Sequence, residues 1–247
     1  MKRLMQLLRE NASTERKPLN LVRAEGAAEA TLYVYDVIDA YWGVNATDVA
    51  KALSGLSADT TLHVRINSPG GDVFEARAIS ASLRSFGGKV VGHIDGLAAS
   101  AATDIANACD EVEMAPGAFY MIHESWTVAI GNKGAMTDTA GLLAKIDDSI
   151  AAEYAKRTGK PTDEINAWMN AETWFTAEEA IENGFADRMA PEKAKNALAK
   201  SWNLGAFEHA PKELTEPAPE PKPELTPEQI TAMRAHNQRR MRLFESA

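Results

Sequence analysis

Two hydrophobic periods alternate along the chain. Thr31-Leu32-Tyr33-Val34-Tyr35-Asp36-Val37-Ile38 is rich in β-branched and aromatic residues and predicts a strand. Val49, Leu53 and Leu56 recur at i, i+4 and i+7, the period of an amphipathic helix, with Thr47 placed to cap it. Residues 62–67, Leu-His-Val-Arg-Ile-Asn, predict a second strand, which Ser68-Pro69-Gly70-Gly71 breaks. Asp72 opens a helix with Ile79, Leu83 and Phe86 on one face, and Gly87-Gly88 ends it. Residues 89–95 predict a buried strand. After Gly96-Leu97-Ala98-Ala99-Ser100, the small-residue run 101–108 predicts a helix buried on nearly every side. The order strand–helix–strand–helix–strand, with short connections, predicts crossover βαβ units and a mainly parallel α/β sheet.

Further on, residues 111–114 and 118–122 predict two short strands separated by Pro116-Gly117. A long helix over 137–157 turns Leu143, Ile146, Ile150 and Tyr154 inward, and Gly159 stops it. A short helix follows over 163–169. Thr176-Ala177-Glu178-Glu179 is a capping box opening a helix that Gly184 closes. This pattern divides the chain into a loosely ordered arm (1–28), a folded domain (29–190), a linker (191–227) and a short basic amphipathic helix (228–247). The linker is rich in Pro and Glu from 211, where six of the chain's 11 prolines begin, and such composition favours an extended, solvated chain. The last stretch carries Arg234, Arg239, Arg240 and Arg242.

Composition narrows the function classes. A net charge of −9 argues against a nucleic-acid partner. No apolar run reaches the ~18–20 residues that span a bilayer, so no membrane partner is expected. The N-terminal residues lack a sustained apolar run and do not read as a signal peptide. Cys109 is the only cysteine, so no internal disulfide forms, which fits a cytoplasmic protein; inside the small-residue helix it reads as a core filler. The pattern calls for no metal and no cofactor.

The candidate chemistry centres on Ser100, at a tight strand-to-helix turn where backbone N–H groups lack intrahelical partners. A bland N-cap role explains it equally well by itself. A nucleophilic serine needs a base, a group that orients the base, and N–H donors for the oxyanion. Of the five histidines, His63 and His93 lie within strands and suit neutral, hydrogen-bonded roles, while His209 and His236 fall outside the folded region. His123 ends a strand and enters a loop, where open α/β sheets place their functional crevice. Ser68-Pro69-Gly70-Gly71 lies one βαβ unit earlier and can bring its backbone close to a ligand.

Ile66-Asn67-Ser68-Pro69-Gly70-Gly71, Gly96-Leu97-Ala98-Ala99-Ser100-Ala101-Ala102 and Met121-Ile122-His123-Glu124 stand in the order of the Clp peptidase motifs. Over residues 30–188 the chain resembles that family. The resemblance implies a ClpP/crotonase-like fold of repeated ββα and βαβ units, and a serine protease domain over 29–190. It also implies Ser100 as nucleophile, His123 as general base, and oxyanion N–H groups at Gly71 and Ala101. The family's third residue is an aspartate. Glu172 falls at its position, with Asp163 and Asp187 as fallbacks, and Asp187 matches a family position that looks structural.

Tyr41-Trp42-Gly43, the segment Glu172-Thr173-Trp174-Phe175-Thr176-Ala177 and the Pro-rich extension look like phage and prophage ClpP-like proteases. That likeness implies an ATP-independent endopeptidase that forms homo-oligomeric rings and cuts capsid and scaffold precursors during virion maturation, in the host cytoplasm or inside the prohead. Two alternatives remain. One is a housekeeping ClpP-type peptidase working with an unfoldase; the other is a catalytically degenerate scaffold or assembly protein.

Overall fold

Strand pairing in the computed structural model follows the expected crossover order. The structure describes residues 19–23, 28–191, 202, 204–205, 207–211 and 214. They belong to one unit, Met1–Thr215; the second unit, Glu216–Ala247, lies outside the described residues, as do the predicted tail helix and most of the predicted arm.

The strands are β1 (Asn20–Val22), β2 (Glu29–Val34), β3 (Thr61–Ser68), β4 (Val90–Ala99), β5 (Glu111–Met114), β6 (Phe119–Ile122), β7 (Thr173–Thr176) and β8 (Arg188–Met189). The helices are α1 (Ala46–Ser54), α2 (Val73–Arg84), α3 (Ala101–Asn107), α4 (Lys133–Thr158), α5 (Thr162–Asn170) and α6 (Ala177–Glu182). The sheet runs β1-β2-β3-β4-β5-β8, and β6 branches off β4 to pair with β7. Among the described residues, only the β1/β2 and β6/β7 pairs are antiparallel. This is the expected mixed α/β fold with a mainly parallel sheet.

Local chemistry explains most boundaries. Asp72 caps α2 by accepting from the N–H groups of Phe74 and Glu75. Thr176 and Glu179 form the capping box of α6. Gly159 takes the left-handed conformation that ends α4. The cap of α1 is Asn45 rather than Thr47, because the Asn45 side chain accepts from the N–H of Asp48 at 2.9 Å. The strand expected over 89–95 runs on to Ala99. Its second half finds a partner of its own, with Leu97, Ala98 and Ala99 opposite Phe119, Tyr120 and Met121.

The main core lies between one face of the sheet and the helices. Leu32, Val64, Ile66 and Ile94 meet Val49, Ile79, Leu83 and Ile105 there, all fully or almost fully buried. Each such side chain contributes about 1.5–3 kcal/mol of burial. Cys109 is buried among them, and burial pushes its thiol up to about 12, as suits a core filler. On the opposite face Leu97, Ala99 and Met121 form a second cluster. Leu204, within the stretch the sequence assigns to a linker, is buried against them, with Trp202, Phe207 and Ala210 packed alongside. The polar part of that face carries His63 and His93. They share a 2.8 Å ring-to-ring hydrogen bond, and His93 Nδ1 lies 2.7 Å from Glu113 Oε1.

Candidate active site

Ser100 stands where β4 turns into α3, at φ 54°, ψ −127°. This positive φ is strained for a serine and costs on the order of 1–3 kcal/mol. The side chain makes no capping hydrogen bond, which removes the bland N-cap explanation. Its Oγ lies instead 2.7 Å from Nε2 of His123. His123 follows β6 directly, and β6 runs parallel to the end of β4, so the two strand ends meet on one edge of the sheet.

The Ser68-Pro69-Gly70-Gly71 turn reaches the same edge. Ser68 is buried and shapes the turn, donating to the Asp36 carbonyl at 2.7 Å and accepting from the Gly70 N–H at 3.2 Å. Gly70 sits at φ 91°, and a Cβ added there would meet the Ala99 carbonyl oxygen at 2.5 Å, the Ser100 Cβ at 2.9 Å and the Ala101 nitrogen at 3.0 Å. Only glycine allows the turn to press against the serine in this way. The Ile38 N–H donates to the Gly70 carbonyl and the Asp72 N–H to the Ile38 carbonyl, a ladder step that turns the Gly71 N–H to the other side. Gly70 and Ala101 therefore meet in one turn-to-turn contact beside Ser100, and Gly71 is the next residue of that turn, against Ile38.

His123 is largely buried, and burial holds its imidazole below the ordinary value of 6.5. Three carboxylates pull the other way, Glu172 most strongly, then Asp147 and Glu124. Glu172 is thus the main charged neighbour of His123, but no direct hydrogen bond joins the two among the described residues. Its own backbone is strained, at φ 48°. Its carboxylate accepts from the Trp174 indole at 3.2 Å and from the backbone N–H groups of Glu208 (2.9 Å) and His209 (2.7 Å).

The fallback acids sit elsewhere. Asp187 accepts from the Val112 N–H at 2.6 Å and pairs with Arg157, tying β5 to the end of α4. Asp163 lies in the first turn of α5 and is not among the groups acting on His123. Sequence reasoning missed Asp147, which accepts from the Ser125 N–H at 2.6 Å. A signal was available, since 143, 147, 150 and 154 share one helical face and Asp147 is the polar residue on it. Phe207 was missed too. Its ring stands edge-on to His123, 5.5 Å between centroids, and nothing in its local sequence shows this.

The comparisons with known proteins bear on this geometry. A family model described as Clp protease matches residues 29–193. The chain belongs to the Clp protease family. Among curated relatives, the ATP-dependent Clp protease proteolytic subunit 1 of Leifsonia xyli subsp. xyli is 28% identical over 150 residues, covering 59% of this chain and 76% of that protein. An ATP-dependent Clp protease proteolytic subunit of Streptococcus pneumoniae is 28% identical over 164 residues, covering 60% of this chain and 79% of its own. A solved ClpP1 mutant from Listeria monocytogenes superposes with a TM-score of 0.57 at 23% identity, covering 66% of this chain and 92% of that one. That superposition supports the ClpP-like fold. Among the described residues, no helix is long and apolar enough to cross a membrane.

Proposed function

We propose that this chain is a ClpP-type serine peptidase. The observation that carries the reading is the 2.7 Å contact between Ser100 Oγ and His123 Nε2, with the serine held at positive φ and free of any capping role. In this mechanism Ser100 Oγ attacks the substrate carbonyl carbon while His123 Nε2 takes its proton. The resulting imidazolium is favoured by the negative charge of Glu172, and the oxyanion is met by the N–H groups of Gly71 and Ala101. His123 then returns the proton to the departing amine, and water releases the acyl group by the same route.

The relatives are named as proteolytic subunits of an ATP-dependent Clp protease. They support an unfoldase-fed, ring-forming peptidase acting on protein substrates better than the prohead reading. Virion maturation rests only on the likeness of Tyr41-Trp42-Gly43, the 172–177 segment and the Pro-rich extension, and no relative named above carries it. A degenerate scaffold role is disfavoured by the intact serine–histidine pair.

The test is labelling of the purified chain with a serine-directed fluorophosphonate, followed by peptide mapping. The expected result is one label on Ser100 that the Ser100→Ala variant abolishes. A chain that takes no label supports the scaffold reading instead. For the assembly, light scattering at micromolar protein is expected to give a multimer, and a strict monomer counts against the ring.

A further inference from the structure

Described residues between 202 and 209 reach Asn67 at the end of β3, the Leu97/Ala99/Met121 face, the His123 ring and the Glu172 carboxylate. The Trp202 indole donates to Asn67 Oδ1 at 3.2 Å, at the end of β3 just before the Ser68 turn. Leu204 is buried against Leu97, Ala99 and Met121, on the strands that carry Ser100 and His123. Phe207 stands edge-on to the His123 ring, and its centroid is 5.7 Å from that of Trp174. The next two backbone N–H groups both end on the Glu172 carboxylate, at 2.9 Å and 2.7 Å.

We propose that the described residues Trp202, Leu204 and Phe207–His209 form a built-in positioning brace that holds the Glu172 carboxylate and the His123 ring in working alignment. This rests on the serine peptidase reading above. The chemistry favours a brace over a plug. When Nε2 accepts from the Ser100 hydroxyl, Nδ1 carries the remaining proton and needs an anion on its side of the ring. Glu172 stands on a strained backbone with a side chain longer by one methylene than the family's aspartate. Two amide donors and one indole donor fix where its carboxylate sits. The cavity beside Ser100 is lined by Val73, Ala76, Ala101, Ile150 and Tyr154 among others, and by no described residue of this segment. The described residues of the segment therefore reach the imidazole from the side of Glu172 rather than through that cavity.

The test uses the full chain. His209→Pro removes one donor to Glu172, whereas His209→Ala keeps it. His209→Pro is expected to lower kcat for a peptide substrate, and the rate of phosphonate labelling, about tenfold with little change in KM. His209→Ala is expected to stay at least about fivefold faster than His209→Pro. In a Glu172→Gln background His209→Pro is expected to add no further loss. Equal rates for the two variants, a rise in activity with proline, or a fully additive loss would each overturn the brace. The rise would make the segment an inhibitor.

A second measurement does not depend on peptidase activity. Hydrogen exchange of the peptide covering 207–210 is expected to speed up in Glu172→Ala, and unchanged exchange overturns the proposal. An unlabelled wild-type chain with normal exchange behaviour would count against the peptidase reading, and not against the contact.

Discussion

Ser100 donates its backbone N–H to the carbonyl oxygen of Met121 at 2.9 Å, one ladder step beyond the last paired residues of β4 and β6, Ala99 and Met121. That bond sets the site. It places the residue two positions after Met121, which is His123, level with the Ser100 side chain. It also holds the start of α3 against the end of β6. The alignment of Ser100 with His123 is thus a property of sheet register, and register errors are costly because they turn buried faces outward.

Ser100→Ala and His123→Ala are each expected to abolish phosphonate labelling and peptide cleavage, because in the proposed mechanism they act as a unit, nucleophile and base. Ser100→Gly is expected to be equally inactive but to melt above Ser100→Ala, since glycine relieves the positive φ that alanine keeps. Calorimetry on the two variants checks the order; a lower midpoint for glycine would mean the turn is unstrained.

The pH dependence follows from His123. Only the neutral ring accepts the serine proton, so activity rises with pH through its pKa. Burial holds that pKa below 6.5, so the acid limb of kcat/KM is expected below pH 6.5. Stability moves with the same sign. The unfolded histidine takes its proton first as pH falls below 6.5, so the folded state loses stability between 6.5 and the lower folded value.

Glu172→Gln removes the largest influence raising the His123 pKa. The acid limb is therefore expected to shift to lower pH, while the plateau drops by about 10²-fold for want of a charge facing the imidazolium. A pH–rate profile separates the two effects. An unshifted limb at full activity would pass the role to another acid, with Asp147 the next neighbour.

Gly70→Ala forces a Cβ to 2.5 Å from the Ala99 carbonyl at a positive φ, so the turn must move away from Ser100. A loss of about 2–3 kcal/mol in stability and of most labelling is expected. Denaturant melts alongside labelling rates check it, and a variant with native stability would mean that the two turns do not press together.

Asp187→Ala is expected to cost stability, about 1–3 kcal/mol, by orphaning the buried Val112 N–H and unpairing Arg157. Labelling of the folded fraction is expected to persist. Loss of labelling without loss of stability would instead place Asp187 in the chemistry.

Much of this was readable one residue at a time. The strand cores, the caps at Asp72 and Thr176, the stop at Gly159 and the glycine turn express local sterics and hydrogen bonding, which depend on a few neighbouring residues. Ser100 and His123 stood out because each follows a strand whose end faces a turn. The extension of β4 to Ala99 was not local, because a small-residue run becomes a strand only when β6 arrives to pair with it. Glu172 could be singled out, but its partners could not. Two of them are backbone N–H groups of Glu208 and His209, more than thirty residues away, and an amide carries no residue-specific signature in sequence. Nor does Leu204 announce its burial, since the Pro- and Glu-rich chain after it reads as solvated. Burial there depends on an apolar sheet face formed by Leu97, Ala99 and Met121, which exists only once the strands have paired.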